Sequence, residues 1–128
     1  MAQPITDHLM SFFVLLNGKR FNQFMLIDIR ESKTIKDLRQ LTKKRMTENP
    51  IYAEYHHIPV ERLTFWRAVL PHPPYYPGQT ALANELLHLE KISVKYQLGL
   101  DEKIEDSFTR EKYSPRGGVM LVVFEIDA

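Results

Sequence analysis

The sequence predicts an α+β domain in which a mixed sheet of four or five strands packs on one main helix. Three observations support this fold class. Two apolar runs near the start flank an Asn-Gly dipeptide, an amphipathic helical pattern follows them, and a near-continuous apolar run comes after Gly117-Gly118. A chain of 128 residues fits one domain, residues 1–128 with a core over about 9–126.

The first predicted element is a β-hairpin. Residues 9–16 and 21–29 are rich in aromatic and branched side chains. Between them, Asn17-Gly18 supplies the two positive φ angles that a type I′ turn requires. The second run alternates between two faces, which is typical of a strand with one face on a core.

A helix is predicted over residues 34–47. Thr34 and Asp37 have the spacing of a capping box, and Asn49-Pro50 ends the helix because the residue before a proline is pushed out of the α region. The apolar stripe of this helix consists of Ile35, Leu38, Leu41 and Met46.

The remaining elements follow an irregular segment at residues 51–60. Residues 63–70 form a strand whose two faces are both apolar, and we expect Trp66 to be buried against Leu38 and Leu41 of the helix. Prolines then exclude residues 71–77 from the sheet. An insert follows, with a helix over 80–91 whose inner face is Leu82, Leu86 and Leu89, and with a helical turn over 101–108.

The last predicted element is a central strand over residues 119–126, since its apolar run is covered on both faces. The order is therefore hairpin, helix, strand, helical and irregular insert, and strand. This order indicates the β-grasp arrangement of ubiquitin-like domains.

Composition and motifs argue against several functions. The net charge of +1 gives no overall field that would attract nucleic acid, and no apolar run is long enough to span a membrane. There is no cysteine, and none of the five histidines has a second ligand at a metal-binding spacing. We therefore expect no enzyme activity, no catalytic residue, no metal and no cofactor.

Two segments are candidates for binding a protein partner. The helix carries five basic residues and one acid, and Lys36, Arg39, Lys43 and Lys44 form a candidate docking face for an acidic partner. A solvated face that suits the helix dipole is the alternative interpretation. In the proline-rich loop, Tyr75 and Tyr76 are candidate interface anchors, with a rigid surface crossing as the alternative.

Several stretches resemble the N-terminal ubiquitin-like domain of Crinkler proteins, effectors of oomycetes and some fungi. "FFVLLNGKRFNQFMLIDIRESKTIKDLRQLTKKR" resembles the family's opening, and "VMLVVFEI" resembles its closing strand. "LTFWRAVLP" stands where oomycete members carry LxLFLAK and many fungal members read "LTLWKVSIP". The signature positions are Leu63, Phe65, Trp66, Arg67 and Ala68, and the oomycete Phe-Leu-Ala-Lys is Trp-Arg-Ala-Val here.

The resemblance implies a non-catalytic protein-interaction module of a secreted effector that acts in a host cell, with the host nucleus as one compartment. The sequence has no recognisable signal peptide, because Asp7 and His8 stand where basic residues are expected. We expect a host protein as partner, no nucleic acid, and a monomer or weak homodimer. The alternative function is an intracellular Ras-association-like or ubiquitin-like scaffold domain that uses the basic helix or the edge of the second strand.

Overall fold

Five strands and one main helix make up the computed structural model, which describes residues 7–70, 85–108 and 119–127. The strands are β1 (Leu9–Leu16), β2 (Met25–Arg30), β3 (Leu63–Leu70), β4 (Val94–Gln97) and β5 (Val119–Ile126). The α-helices are α1 (Ile35–Glu48) and the short α2 (Ile104–Ser107). The predicted strands at 63–70 and 119–126 are confirmed, whereas β4 lies in a segment where no element was predicted.

The strands form one mixed sheet in the order β2-β1-β5-β3-β4. β1 and β5 are parallel, and the β1/β2, β3/β5 and β3/β4 pairs are antiparallel. β5 therefore lies at the centre, as its apolar sequence predicted, while β2 and β4 are the outer strands among the described residues. The fold is α+β, and its arrangement is compatible with a β-grasp.

The start of α1 is set by local hydrogen bonds. Thr34 Oγ1 accepts from the Asp37 amide, and the Asp37 carboxylate accepts from the Thr34 amide at 3.0 Å. This reciprocal pair is the predicted capping box. The helix ends at Glu48, where Asn49 takes an extended backbone before Pro50.

Two apolar clusters lie on opposite faces of the sheet. The larger cluster packs between α1 and the sheet, and its buried helix residues include Ile35, Leu38 and Met46. Met25, Ile27 and Ile29 of β2 join it, which confirms the predicted alternation of that strand. The smaller cluster lies on the other face and contains Leu15, Phe21, Ala68, Leu87, Leu89, Ile92, Leu121 and Val123. The sheet is thus covered on both faces.

The β1–β2 connection is longer than the predicted type I′ turn. The last β1–β2 pair is Val14↔Met25, so the connection spans residues 17–24 and includes a 3₁₀ turn at Phe21–Gln23. In the described part of the chain only Gly18 has a positive φ, 95°, whereas a type I′ turn needs two. The physical reason is that the backbone of this connection pairs with residues 85–87, through the bridge between Arg20 and Leu86.

The predicted helix over 80–91 is wrong for the residues that the structure describes. Residues 85–88 are not helical, and only Leu89–Lys91 forms a 3₁₀ turn. Their backbone instead bonds to the β1–β2 connection: Gly18 donates to the Leu87 carbonyl and the Leu87 amide donates to Lys19, at 2.9 and 2.8 Å. As a result Leu86, predicted to face inward, is 51% exposed. The predicted turn over 101–108 is confirmed by α2, with Ile104 and Phe108 buried.

The placement of Trp66 against α1 is also wrong. Trp66 is partly buried in the smaller cluster, on the face of β3 that points away from α1. Its neighbour Phe65 takes the position near Leu38 and stacks on Phe124 with ring centroids 5.7 Å apart. Because both faces of β3 are apolar, the alternation separates the two side chains but does not say which one meets the helix.

Candidate functional site

The outer edge of β2 exposes backbone groups that can bind another strand. The Glu31 amide donates to the His8 carbonyl at 2.9 Å, which makes His8 and Glu31 a hydrogen-bonded pair in the β1–β2 register. Bonded and non-bonded pairs alternate along an antiparallel ladder. The amides and carbonyls of Leu26, Asp28 and Arg30 therefore point away from β1, toward the side of β2 on which no other described strand pairs.

A groove lies between this edge and the end of α1. Its volume is about 520 Å³, and its lining residues are Phe24, Met25, Leu26, Asp28, Arg45, Glu48, Asn49 and Pro50. A smaller groove of about 290 Å³ continues along the helix beside Ile27, Leu41 and Lys44. The two share Asp28, Arg45 and Glu48, so the open edge of β2 borders one extended depression, which we call the β2–α1 groove.

The rim of the β2–α1 groove carries both signs of charge. Lys44 and Arg45 stand on the helix side with Glu48, and Asp28 stands on the strand, where Ser11 Oγ donates to it. None of these four charged side chains forms an ion pair with the rest of the described chain. The charges of Lys44, Arg45 and Glu48 are therefore available to a ligand on the α1 side, where Met25 and Ile27 provide an apolar floor. The Asp28 side chain lies with Ser11 on the opposite face of the sheet.

The predicted basic docking face is divided by the packing of α1. Lys36 and Lys44 are exposed, but Arg39 is only 7% exposed and its Nε has no hydrogen-bond partner among the described residues. Lys43 is half-buried, and its Nζ donates to the carbonyls of Tyr55 and His56. Lys36 and Lys44 remain candidates for partner binding, whereas Arg39 and Lys43 are held in the interior and its margin.

The five signature residues of β3 are packed rather than displayed. Leu63, Phe65 and Arg67 face the α1 side, while Trp66 and Ala68 face the smaller cluster. Arg67 is buried, donates to the Ser107 carbonyl, and lies 4.5 Å from the centroid of the Tyr96 ring. Burial lowers the pKa of its guanidinium. A strand packed on both faces stabilises the sheet and offers little contact surface.

Two other predictions concern residues that the structure does not describe. Tyr75 and Tyr76 of the proline-rich loop lie outside the described residues, as does the Gly117-Gly118 turn. His72 also lies outside the described residues. Within the described ranges, no three His, Asp or Glu side chains are grouped where they could hold a metal ion.

Of the residues that line the β2–α1 groove, only Lys44 was predicted to bind a partner. The edge of the second strand was also predicted as a binding surface, but Leu26, Asp28 and Arg45 were not. One signal was present: Leu26 occupies the non-core face of an alternating strand, and it is 51% exposed. The groove itself depends on the angle between α1 and β2, which no local pattern specifies.

The sequence matches no protein-family model, and no curated protein matches it. Within the described residues, no helix has both the length and the apolar character needed to cross a bilayer.

Proposed function

We propose that this chain is a non-catalytic protein-interaction module of ubiquitin-like β-grasp fold, and that it binds an extended segment of a partner in the β2–α1 groove. The observation that supports this proposal most directly is the open edge of β2, where Leu26 and Asp28 direct their backbone groups toward the groove. An extended peptide can add a strand at such an edge, with affinity from main-chain hydrogen bonds and specificity from alternate side chains.

The lining of the groove defines the kind of segment that fits. An added strand presents every second side chain to the α1 side of the sheet, where Met25, Ile27 and Leu41 are apolar. Charged side chains on the same side of the segment would meet Lys44, Arg45 and Glu48 at the end of α1. The segment should therefore be apolar at alternate positions and charged where it passes the end of α1.

The β-grasp assignment is supported by the order of the elements. A hairpin precedes the main helix, and the last strand lies parallel to the first at the centre of the sheet. The main helix crosses one face between the second and third strands.

We propose a Crinkler-type effector role in a host cell as the biological setting. It is supported by the resemblance of "LTFWRAVLP" and of the hairpin–helix stretch to that family. Expression of the fluorescently tagged protein during infection tests this setting, because an effector must be found in host cells. Retention of all the fluorescence in the producing cell would argue against it.

An intracellular Ras-association-like scaffold is the second candidate, and it would bind its partner through the same edge of β2. Pull-down with a small GTPase in its two nucleotide states separates the two settings. Capture of only the triphosphate-bound form would support the scaffold.

The binding mode itself can be tested with a proline in the edge. Leu26→Pro removes an outward amide without removing a β1–β2 hydrogen bond, and proline is tolerated at such positions. Gln97→Pro is the matched control, since the bond from the Leu98 amide to the Phe65 carbonyl shows that the Gln97 amide also points outward, on the opposite edge.

The measurement is affinity for linear peptides selected from a phage-displayed library against the wild-type protein. We expect Leu26→Pro to weaken binding about tenfold, the equivalent of one hydrogen bond of about 1.4 kcal/mol, and Gln97→Pro to leave it unchanged. Equal affinities for both proline variants would show that peptides do not bind by strand addition at β2.

A further inference from the structure

We infer that, when no partner segment is bound, the edge of β2 pairs with the β2 edge of a second copy of this chain about a two-fold axis at Ile29. The inference rests on the same open edge as the proposed function and names the occupant that covers it in the free protein. The sheets of the two copies then join into one, with both α1 helices on the same face.

The charges on β2 have the pattern that such a pairing needs. Asp28 and Arg30 are two residues apart, so their side chains lie on the same face of the strand, and both are exposed. Neither forms an ion pair with another described residue. In the reversed strand of a second copy, the acid and the base change places.

Three symmetric registers are possible near the middle of the strand, and charge distinguishes them. An axis at Asp28 places Asp28 opposite its own copy, which is repulsive. An axis at Ile27 places Asp28 opposite Leu26. An axis at Ile29 places Asp28 opposite Arg30 of the other copy, twice, and opposite charges directly across an antiparallel pair attract while like charges repel.

The backbone is compatible with the register at Ile29. Asp28 and Arg30 both point their amides and carbonyls outward, so each of the two symmetric pairs can exchange two hydrogen bonds. The Arg30 carbonyl accepts from the Lys33 amide at 3.1 Å, but a carbonyl oxygen has two lone pairs. The turn that begins at Arg30 limits the length of the ladder between the two copies, since the Ser32 amide already donates to the Asp7 carboxylate.

The two charged side chains are also held in place before association. Ser11 Oγ donates to one oxygen of Asp28, which leaves the other oxygen for Arg30 of the second copy. Arg30 uses one guanidinium nitrogen on the Asp7 carbonyl, at 3.0 Å, and keeps further donors. A contact limited to one strand edge is small, so the dimer should be weak and sensitive to concentration and salt.

The pairing would regulate the proposed peptide site by competition. A second copy at the edge occupies the Asp28 backbone groups that an added peptide strand would use. Binding of a partner segment should therefore separate the dimer into monomers.

The test uses two single charge variants, Asp28→Arg and Arg30→Asp, in sedimentation velocity over a concentration series at low salt. Alone, each variant sets like charges opposite each other, and we expect dimerisation at least tenfold weaker than in the wild type. Mixed in equal amounts, they restore opposite charges across the pair, and the mixture should dimerise like the wild type. Far-ultraviolet circular dichroism of each variant checks that it is folded.

Several results would overturn the inference: a wild type that stays monomeric at every concentration, single variants that dimerise normally, or a mixture that stays monomeric. If either single variant fails to fold, Asp28→Asn is used instead. We expect it to weaken dimerisation measurably, but less than the charge reversals do. Dimerisation of Asp28→Asn equal to that of the wild type would count against the inference.

Leu26→Pro separates this inference from the proposed function, because the Leu26 amide takes no part in the Asp28–Arg30 pairs. It should lose peptide affinity and keep the dimer. A wild-type dimer without peptide binding would contradict only the proposed function, and peptide binding by a strict monomer would contradict only the dimer.

Discussion

At the scale of single residues, Asp37 illustrates how a charged side chain on the surface can specify where a helix begins. Its carboxylate accepts from the Thr34 amide at 3.0 Å, and its own amide donates to Thr34 Oγ1 at 3.3 Å. The bond from the Thr34 backbone lowers the pKa of this carboxyl below its ordinary value of 3.8. Two otherwise unpaired amides at the start of α1 are satisfied in this way.

We predict that Asp37→Ala destabilises the protein by about 0.5 to 1 kcal/mol at neutral pH, because it removes one side of the capping box. A group whose pKa is lowered by folding contributes its stability above its ordinary pKa and loses it as the pH falls below that value. The difference between Asp37→Ala and the wild type should therefore shrink between pH 5 and about pH 3.

Urea unfolding at several pH values measures this effect. Glu48→Ala is the matched control, since it removes an exposed carboxylate from the opposite end of α1 and should show no comparable pH dependence. A difference that stays constant down to pH 3 would contradict the role of the ionised carboxylate.

Substitutions at Arg39 and Lys44 test whether the packing of α1 buries one part of the predicted basic docking face and exposes the other. Arg39 is 7% exposed and Lys44 is exposed, although the sequence groups them on one candidate face. Arg39→Glu should lower the free energy of unfolding by about 3 kcal/mol, because it places a carboxylate at a buried position. Lys44→Glu should change it by less than about 0.5 kcal/mol. Chemical denaturation measures both, and equal small effects would show that Arg39 is accessible to water.

At the scale of secondary-structure elements, β3 contributes side chains to both apolar clusters. Phe65 belongs to the cluster under α1 and is 1% exposed, whereas Trp66 belongs to the opposite cluster and is partly exposed. The strand therefore stabilises both clusters, and its two adjacent aromatic residues contribute unequally to the free energy of unfolding.

We predict that Phe65→Ala lowers the free energy of unfolding by about 3 to 5 kcal/mol, the usual range for a buried aromatic side chain. Trp66→Ala should have a smaller effect, about 1 to 3 kcal/mol, because part of the indole already contacts water. Urea unfolding followed by far-ultraviolet circular dichroism compares the two, since the Trp66 variant lacks the tryptophan signal. The reverse ranking would place the indole under the helix.

At the scale of the whole molecule, the sheet connects distant parts of the chain. β5, near the end of the described chain, lies between β1 and β3 and is buried by layers on both faces. Among the described residues, β2 and β4 are each bonded to a neighbouring strand on one side only. Opening of the structure should therefore proceed from the edges toward β5.

Native-state hydrogen exchange can follow this order. We predict that amides of β5 exchange slowest, near the rate of global unfolding, and that those of β4 exchange at least about tenfold faster. The experiment is run at a low protein concentration, so that pairing of the β2 edge with a second copy does not slow the exchange of its amides. Equal rates in β4 and β5 would contradict the strand order.

Much of this architecture could be predicted because its causes are local. The capping box at Thr34, the proline after Asn49 and the alternation of β2 act over a few residues, and each predicted the element that is found. The apolar run at 119–126 predicted a central strand, since only a strand covered on both faces tolerates so continuous a pattern. Ile104 and Phe108 likewise specified the short turn of α2.

Tertiary structure decided the features that depend on distant partners. Residues 85–91 have helical spacing, yet the backbone groups of Glu85 and Leu87 bond to residues 18–21 of the β1–β2 connection, which a local pattern does not reveal. The side of β3 that faces α1, and with it the place of Trp66, depends on the register with β5. The β2–α1 groove also depends on strand order and on how α1 crosses the sheet, because long-range packing determines which edge stays open.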